Sequence, residues 1–182
     1  KMQTTMEREK YTGDVVGGGT RYTVQYGAVD GLVVSHRLST FESWPFVTFT
    51  VLMRNDSAAP VTVNRVVTAS FNAGGIMGLG PETKTRSRFL QVRGGYPLFC
   101  AGALPIEMMF QDPATGHELS FGVVPTGLAE AGVDLQSSGG AWQGRIASDY
   151  KPGHVVKPGE TFEADTIWVS YGAVPFQSDT QF

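Results

Sequence analysis

The chain reads as all-β, an antiparallel β-sandwich of two packed sheets, and three observations predict it. Apolar and polar residues alternate with period two in segment after segment, while helical periodicity is nearly absent. The 23 Gly and 10 Pro recur at short intervals with Val, Thr, Phe and Tyr between them, which marks short strands joined by turns. Eleven such strands can be marked, too many for one flat sheet, so two stacked sheets are expected.

The strands fall at about 3–11, 20–28, 31–38, 46–54, 60–71, 86–93, 103–111, 117–124, 128–135, 142–149 and 161–171. In the fourth, Val47, Phe49, Val51 and Met53 share one face and Thr48 and Thr50 the other, so the first set is expected inside. Asn55-Asp56-Ser57 and Pro60 break that run before the next β-branched strand. Residues 72–85, with four glycines and a proline, read as a long exposed loop. Asp112-Pro113-Ala114-Thr115-Gly116 is a Pro-led turn, and Ser137-Ser138-Gly139-Gly140 a loop tip. In Lys157-Pro158-Gly159-Glu160, Pro158 presets φ for the second turn position and Gly159 supplies the positive φ after it. The last strand should then alternate, with Phe162, Ala164, Thr166, Trp168 and Ser170 on one side.

At 182 residues the chain is long enough for one domain, 1–182, with a real core. Charged residues are 17% and apolar ones 41%, a globular balance rather than a disordered one. A net charge of −3 gives no attraction to a nucleic-acid backbone or an anionic membrane, and neither partner is expected. No apolar run approaches the roughly 20 residues that span a bilayer. The opening KMQTTMEREK has no signal-peptide pattern. The single cysteine, Cys100, excludes an internal disulfide, and its apolar neighbours mark it as a buried thiol.

Catalytic patterns are missing. His36, His117 and His154 stand far apart without metal-ligand spacing, and no Gly-x-Ser-x-Gly occurs. The acidic residues from Glu107 to Asp165 sit in turns or at polar places in strands, where solvation accounts for them, so no glycosidase-type pair is assigned. Asp30, Asp56 and Asp149 lack the spacing of a calcium loop. No catalytic residue, metal or cofactor is therefore expected.

Aromatic residues beside polar ones are the remaining chemistry, because flat rings stack on pyranose faces while polar neighbours bond the hydroxyls. Trp142 follows a glycine-rich loop and is flanked by Gln143 and Arg145, which makes it the first candidate. Trp44, before Pro45 and near Glu42, is the second, and Tyr96 and Tyr150 also stand in loop-like surroundings. The competing reading is that these rings cap the sandwich core. Trp168, in mid-strand, reads as core packing.

Three segments carry a family resemblance. Lys157-Pro158-Gly159-Glu160 through Trp168 resembles the closing strand of the N-terminal β-sandwich in glycoside hydrolases of the α-galactosidase (melibiase-like) kind. The paired strands FVTFTVLMRNDSAAPVTVNRV and the segment LSFGVVPTG resemble strands of the same domain. The resemblance covers about residues 30–176. It implies a fragment of a larger carbohydrate-active enzyme, in a secreted or periplasmic bacterial setting, with the catalytic aspartates in a barrel this chain lacks. Two functions follow from it: a non-catalytic module that binds polysaccharide or oligosaccharide through exposed aromatics, or a sandwich that only packs on a catalytic domain and shapes its cleft. A free-standing enzyme using a sandwich face is the third reading.

Overall fold

The computed structural model describes residues 4–13, 17–73, 86–90, 107–111, 118–124, 126–138 and 141–172. Among them every regular element is a strand: β1 (Thr5–Gly13), β2 (Gly17–Val29), β3 (Leu32–Phe41), β4 (Phe46–Asn55), β5 (Val61–Ala73), β6 (Arg86–Leu90), β7 (Glu107–Gln111), β8 (Glu118–Val124), β9 (Glu130–Ser138), β10 (Ala141–Val156), β11 (Thr161–Glu163) and β12 (Thr166–Gly172). The larger sheet has nine strands in the order β1-β2-β3-β4-β12-β8-β7-β6, with β11 also paired to β4. The smaller has three, β5-β10-β9, and every pairing is antiparallel. The expected sandwich is the observed fold. The 72–85 loop beyond residue 73, the 112–116 turn, Tyr96, Cys100 and His117 lie outside the described residues.

Two apolar clusters join the sheets. One packs Phe121, Val123 and Ile167 of the larger sheet on Val133 and Ile146 of the smaller. The other packs Val51, Met53 and Phe162 on Val63, Val66, Tyr150 and Val156. Burial of a large apolar side chain contributes about 1.5–3 kcal/mol, so these rows are the main cohesion between layers. In β4 the expected face is inside, with Val51 and Met53 buried and Phe49 packed against the first cluster. Thr50, expected outside, is also buried at 4% exposure; its hydroxyl meets that of Thr166 at 2.8 Å, which satisfies it without solvent.

The final strand departs from simple alternation. Phe162 pairs with Met53, but Ile167 pairs with Phe49, so one extra residue is inserted between them. The insertion sits at Ala164-Asp165, where Asp165 turns inward and its Oδ1 accepts from Thr126 N and Oγ1, both at 2.7 Å. Phe162, Ala164 and Ile167 therefore all face the core, while Thr166, Trp168 and Ser170 face away. Trp168 is half-buried on the side opposite the smaller sheet, which corrects its reading as core.

Turns seat the frame. Asp30 and Gly31 have φ of 50° and 85° and close the β2–β3 hairpin in two residues, the pattern whose twist matches paired strands. Gly159 has φ 77° after Pro158, as its turn requires.

Candidate functional site

The smaller sheet covers one face of the larger, and the opposite face collects polar and aromatic side chains. Register places Glu9, Arg21, Ser39, Thr48, Trp168 and Gly122 in one row across β1, β2, β3, β4, β12 and β8. The row on one side holds Glu7, Thr23, Arg37, Thr50 and Thr166, and the row on the other holds Tyr11, Gly19, Phe46 and Ser170, with Phe41 beside Gly19. Period two sends all these side chains to the same side.

Aromatic rings crowd one end of this face. Tyr11 meets Phe41 edge-on at 6.1 Å, Phe41 meets Phe46 at 4.8 Å, and Trp44 meets Phe46 at 6.1 Å. The Arg21 guanidinium lies 4.6 Å from the Tyr11 ring centroid and binds Glu9 at 3.0 Å. Gly19 is obligatory beneath them, because a Cβ there would collide with the Thr40 carbonyl oxygen and press on the Tyr11 ring. Arg37 reaches Glu163 at 3.2 Å. Short polar side chains form the floor: Ser39, Thr50, Ser120 and Ser170 are each at most 6% exposed. Ser170 Oγ donates to the Pro45 carbonyl at 2.9 Å and so anchors the loop that carries Trp44.

The sequence-selected residues are not brought to one place. Trp44 is 43% exposed at the aromatic end of the face opposite the smaller sheet. Trp142 and Gln143 lie within β10, between β5 and β9, with Trp142 paired to Ala73 and Ser137, so Trp142 stands in a strand and not in a loop. Arg145 is on the same strand and exposed. Tyr150 is corrected: it is 3% exposed in the second apolar cluster, edge-on to Phe162 at 5.1 Å. The Lys151-Pro152-Gly153 that suggested a loop is an insertion inside β10, which runs on to Val156. The row from Arg21 to Trp168 was missed; the signal available was the polar partners of Trp168 on its own side of the strand, Thr166 and Ser170.

Burial holds the His36 imidazole below its ordinary value, and its Nδ1 lies 3.3 Å from the Tyr26 hydroxyl. The Tyr150 hydroxyl is pushed up by burial and then by the Asp165 charge. Among the described residues no three His, Cys, Asp or Glu side chains gather as around a metal ion.

No protein-family model matches the sequence, and no curated protein matches it. Solved structures do. The chain is similar over 96% of its length to 28% of the GH36 α-galactosidase AgaB of Geobacillus stearothermophilus, with TM-score 0.61 and 10% identity. It is similar over 94% to 27% of the galactosidase domain of the α-galactosidase-sucrose kinase AgaSK, with TM-score 0.59 and 9% identity. Over 93% it is similar to 26% of an α-galactosidase of Lactobacillus brevis, with TM-score 0.56 and 13% identity. The chain thus spans about a quarter of the structures it matches. The matched part is their N-terminal region, and the fold of this chain is that of the N-terminal β-sandwich of GH36 α-galactosidases.

Proposed function

We propose that the chain is a non-catalytic accessory module of a glycoside hydrolase and that it binds oligosaccharide or polysaccharide through exposed aromatic side chains. The observation that carries the reading is Trp44, 43% exposed at the end of the Tyr11–Phe41–Phe46 cluster, on a fold shared with α-galactosidases. An exposed indole set beside Phe46 can serve as a stacking platform for a pyranose. Trp142, on β10, is the second platform proposed. Two of the matched α-galactosidase structures hold raffinose and stachyose, which makes these α-galactosides the first ligands to try.

Calorimetric titration with raffinose and stachyose tests the reading. Binding is expected with Kd between micromolar and millimolar, about −4 to −8 kcal/mol. Trp44→Ala should weaken it by more than ~1 kcal/mol. No heat from either sugar, or an unchanged Kd in Trp44→Ala and Trp142→Ala alike, would refute binding through these aromatics. The second reading, a sandwich that only packs on a catalytic domain, draws its support from the short coverage of the matched enzymes. Co-purification of separately expressed barrel and sandwich, without sugar binding, would favour it.

A further inference from the structure

We infer that the outer edge of β1 is a docking strand for an extended segment of another protein, one that sets carboxylates beside Arg8 and Lys10 and cations beside Glu7 and Glu9. This interface is independent of sugar binding and uses neither of the proposed aromatic platforms.

β1 ends the larger sheet, and among the described residues only β2 pairs with it. Their pairs run from Thr5–Gln25 to Gly13–Gly17 in one register without a shift. Residues 4–10 are all exposed, Met6 at 69%. A sheet edge carries N–H and C=O groups that point away from its one partner, and these can receive a further strand. Proline, a bulge or a covering loop are the usual guards against that. β1 has neither proline nor bulge, and its exposure leaves the edge uncovered over 4–10. Its guard is charge.

Strand alternation sorts those charges by sign. Glu7 and Glu9 lie on one side of the strand, where Glu9 binds Arg21 at 3.0 Å. Arg8 and Lys10 lie on the other, with the Arg8 guanidinium 5.8 Å from the Tyr22 ring centroid. In an antiparallel pair, directly opposite residues share a side, so a second copy joined through β1 sets each side against its own sign. Centred on Arg8, Glu7 meets Glu9 and Arg8 meets its counterpart. Centred on Glu9, Arg8 meets Lys10. Like charges placed opposite are destabilising, so the edge turns away its own kind. A strand with acid on the Arg8 side and base on the Glu7 side gains a favourable pair at each position, on top of the backbone bonds that strand addition supplies.

Two synthetic peptides of equal composition test the edge, with amide exchange in β1 of the full chain as the readout. One alternates its charges, Thr-Val-Glu-Lys-Glu-Lys-Val-Thr-Val, and the other blocks them, Thr-Val-Glu-Glu-Lys-Lys-Val-Thr-Val. The alternating peptide is expected to slow exchange in β1, with a Kd that rises as salt is added, and the blocked one to leave exchange unchanged. Glu7→Ser/Lys10→Ser removes one charge from each side and spares the Arg21–Glu9 pair and the Arg8–Tyr22 contact. It should raise the Kd of the alternating peptide about fivefold, the scale of two exposed cross-strand pairs. No slowing by the alternating peptide, equal binding of both peptides, or an unchanged Kd in the double variant overturns the docking edge. Slowing in β1 that grows with chain concentration alone would show self-pairing and overturns it as well.

Discussion

The Asn55 side-chain amide donates to the Val156 carbonyl at 2.8 Å, across 101 residues of chain, and neither residue is exposed to solvent. Asn55 Nδ2 also donates to the Ala59 carbonyl, and its Oδ1 accepts from Ser57 N and Oγ. Its backbone holds the Pro158-Gly159 turn, giving its carbonyl to Gly159 N at 2.7 Å and its N–H to the Glu160 carbonyl at 2.9 Å. One buried side chain thus ties the β4–β5 turn to the connection that carries the chain from the smaller sheet back to the larger.

Asn55→Ala should therefore cost about 3 kcal/mol or more, since it leaves buried backbone groups unpaired and not merely one bond lost. Urea denaturation measures it. The Arg54–Asp56 pair next to it is short, at 2.6 Å, but exposed on both sides and screened by water. Asp56→Asn should leave the urea midpoint unchanged, and a midpoint lowered as far as in Asn55→Ala would contradict this division of labour.

Ile167→Ala tests the inserted residue in the closing strand. With Ile167 at 2% exposure and packed on Val133 and Ile146, truncation should cost about 2–5 kcal/mol. Trp168→Phe, on the opposite face, should cost clearly less. The reverse order would restore the uninterrupted alternation from 161 to 171.

Gly19→Ala should disturb the β1–β2–β3 wing, because its Cβ has no room between the Thr40 carbonyl and the Tyr11 ring. The expected signature is faster amide exchange in β1 and β2 with the two inter-sheet clusters still protected. Uniformly unchanged exchange would mean the wing is looser than its packing implies.

Stability should fall as pH drops below about 6.5, the unperturbed histidine value. Burial lowers the His36 pKa in the folded chain, so in that window the unfolded state binds more protons. The contribution is fully present above the unfolded value and is lost as pH falls through the folded one. Urea midpoints of the chain and of His36→Asn, measured from pH 7.5 to 5.5, should converge on acidification. Parallel curves would assign the slope to other groups.

Much of the sandwich was legible because its strands obey period two and its turns use Pro and Gly. Strand 46–54 was placed almost to the residue for that reason, and Gly159 takes the φ its turn demanded. What was not legible was where tertiary bonds insert residues. Asp165 bends inward to bind Thr126, thirty-nine residues away, and so reverses the facing of Trp168. The insertion in β10 likewise turns an apparent loop tyrosine, Tyr150, into core. Of the candidate platforms, Trp44 is held exposed beside Phe46 on a loop that Ser170 anchors, a contact between residues 125 apart that no local pattern reveals.

Frontal chromatography of stachyose on the immobilised chain tests the central claim most directly, because it reads binding and turnover together. The account predicts that stachyose is retarded relative to an inert marker and emerges intact. Stachyose that travels with the marker would contradict glycan binding, and free galactose in the eluate would contradict a non-catalytic module.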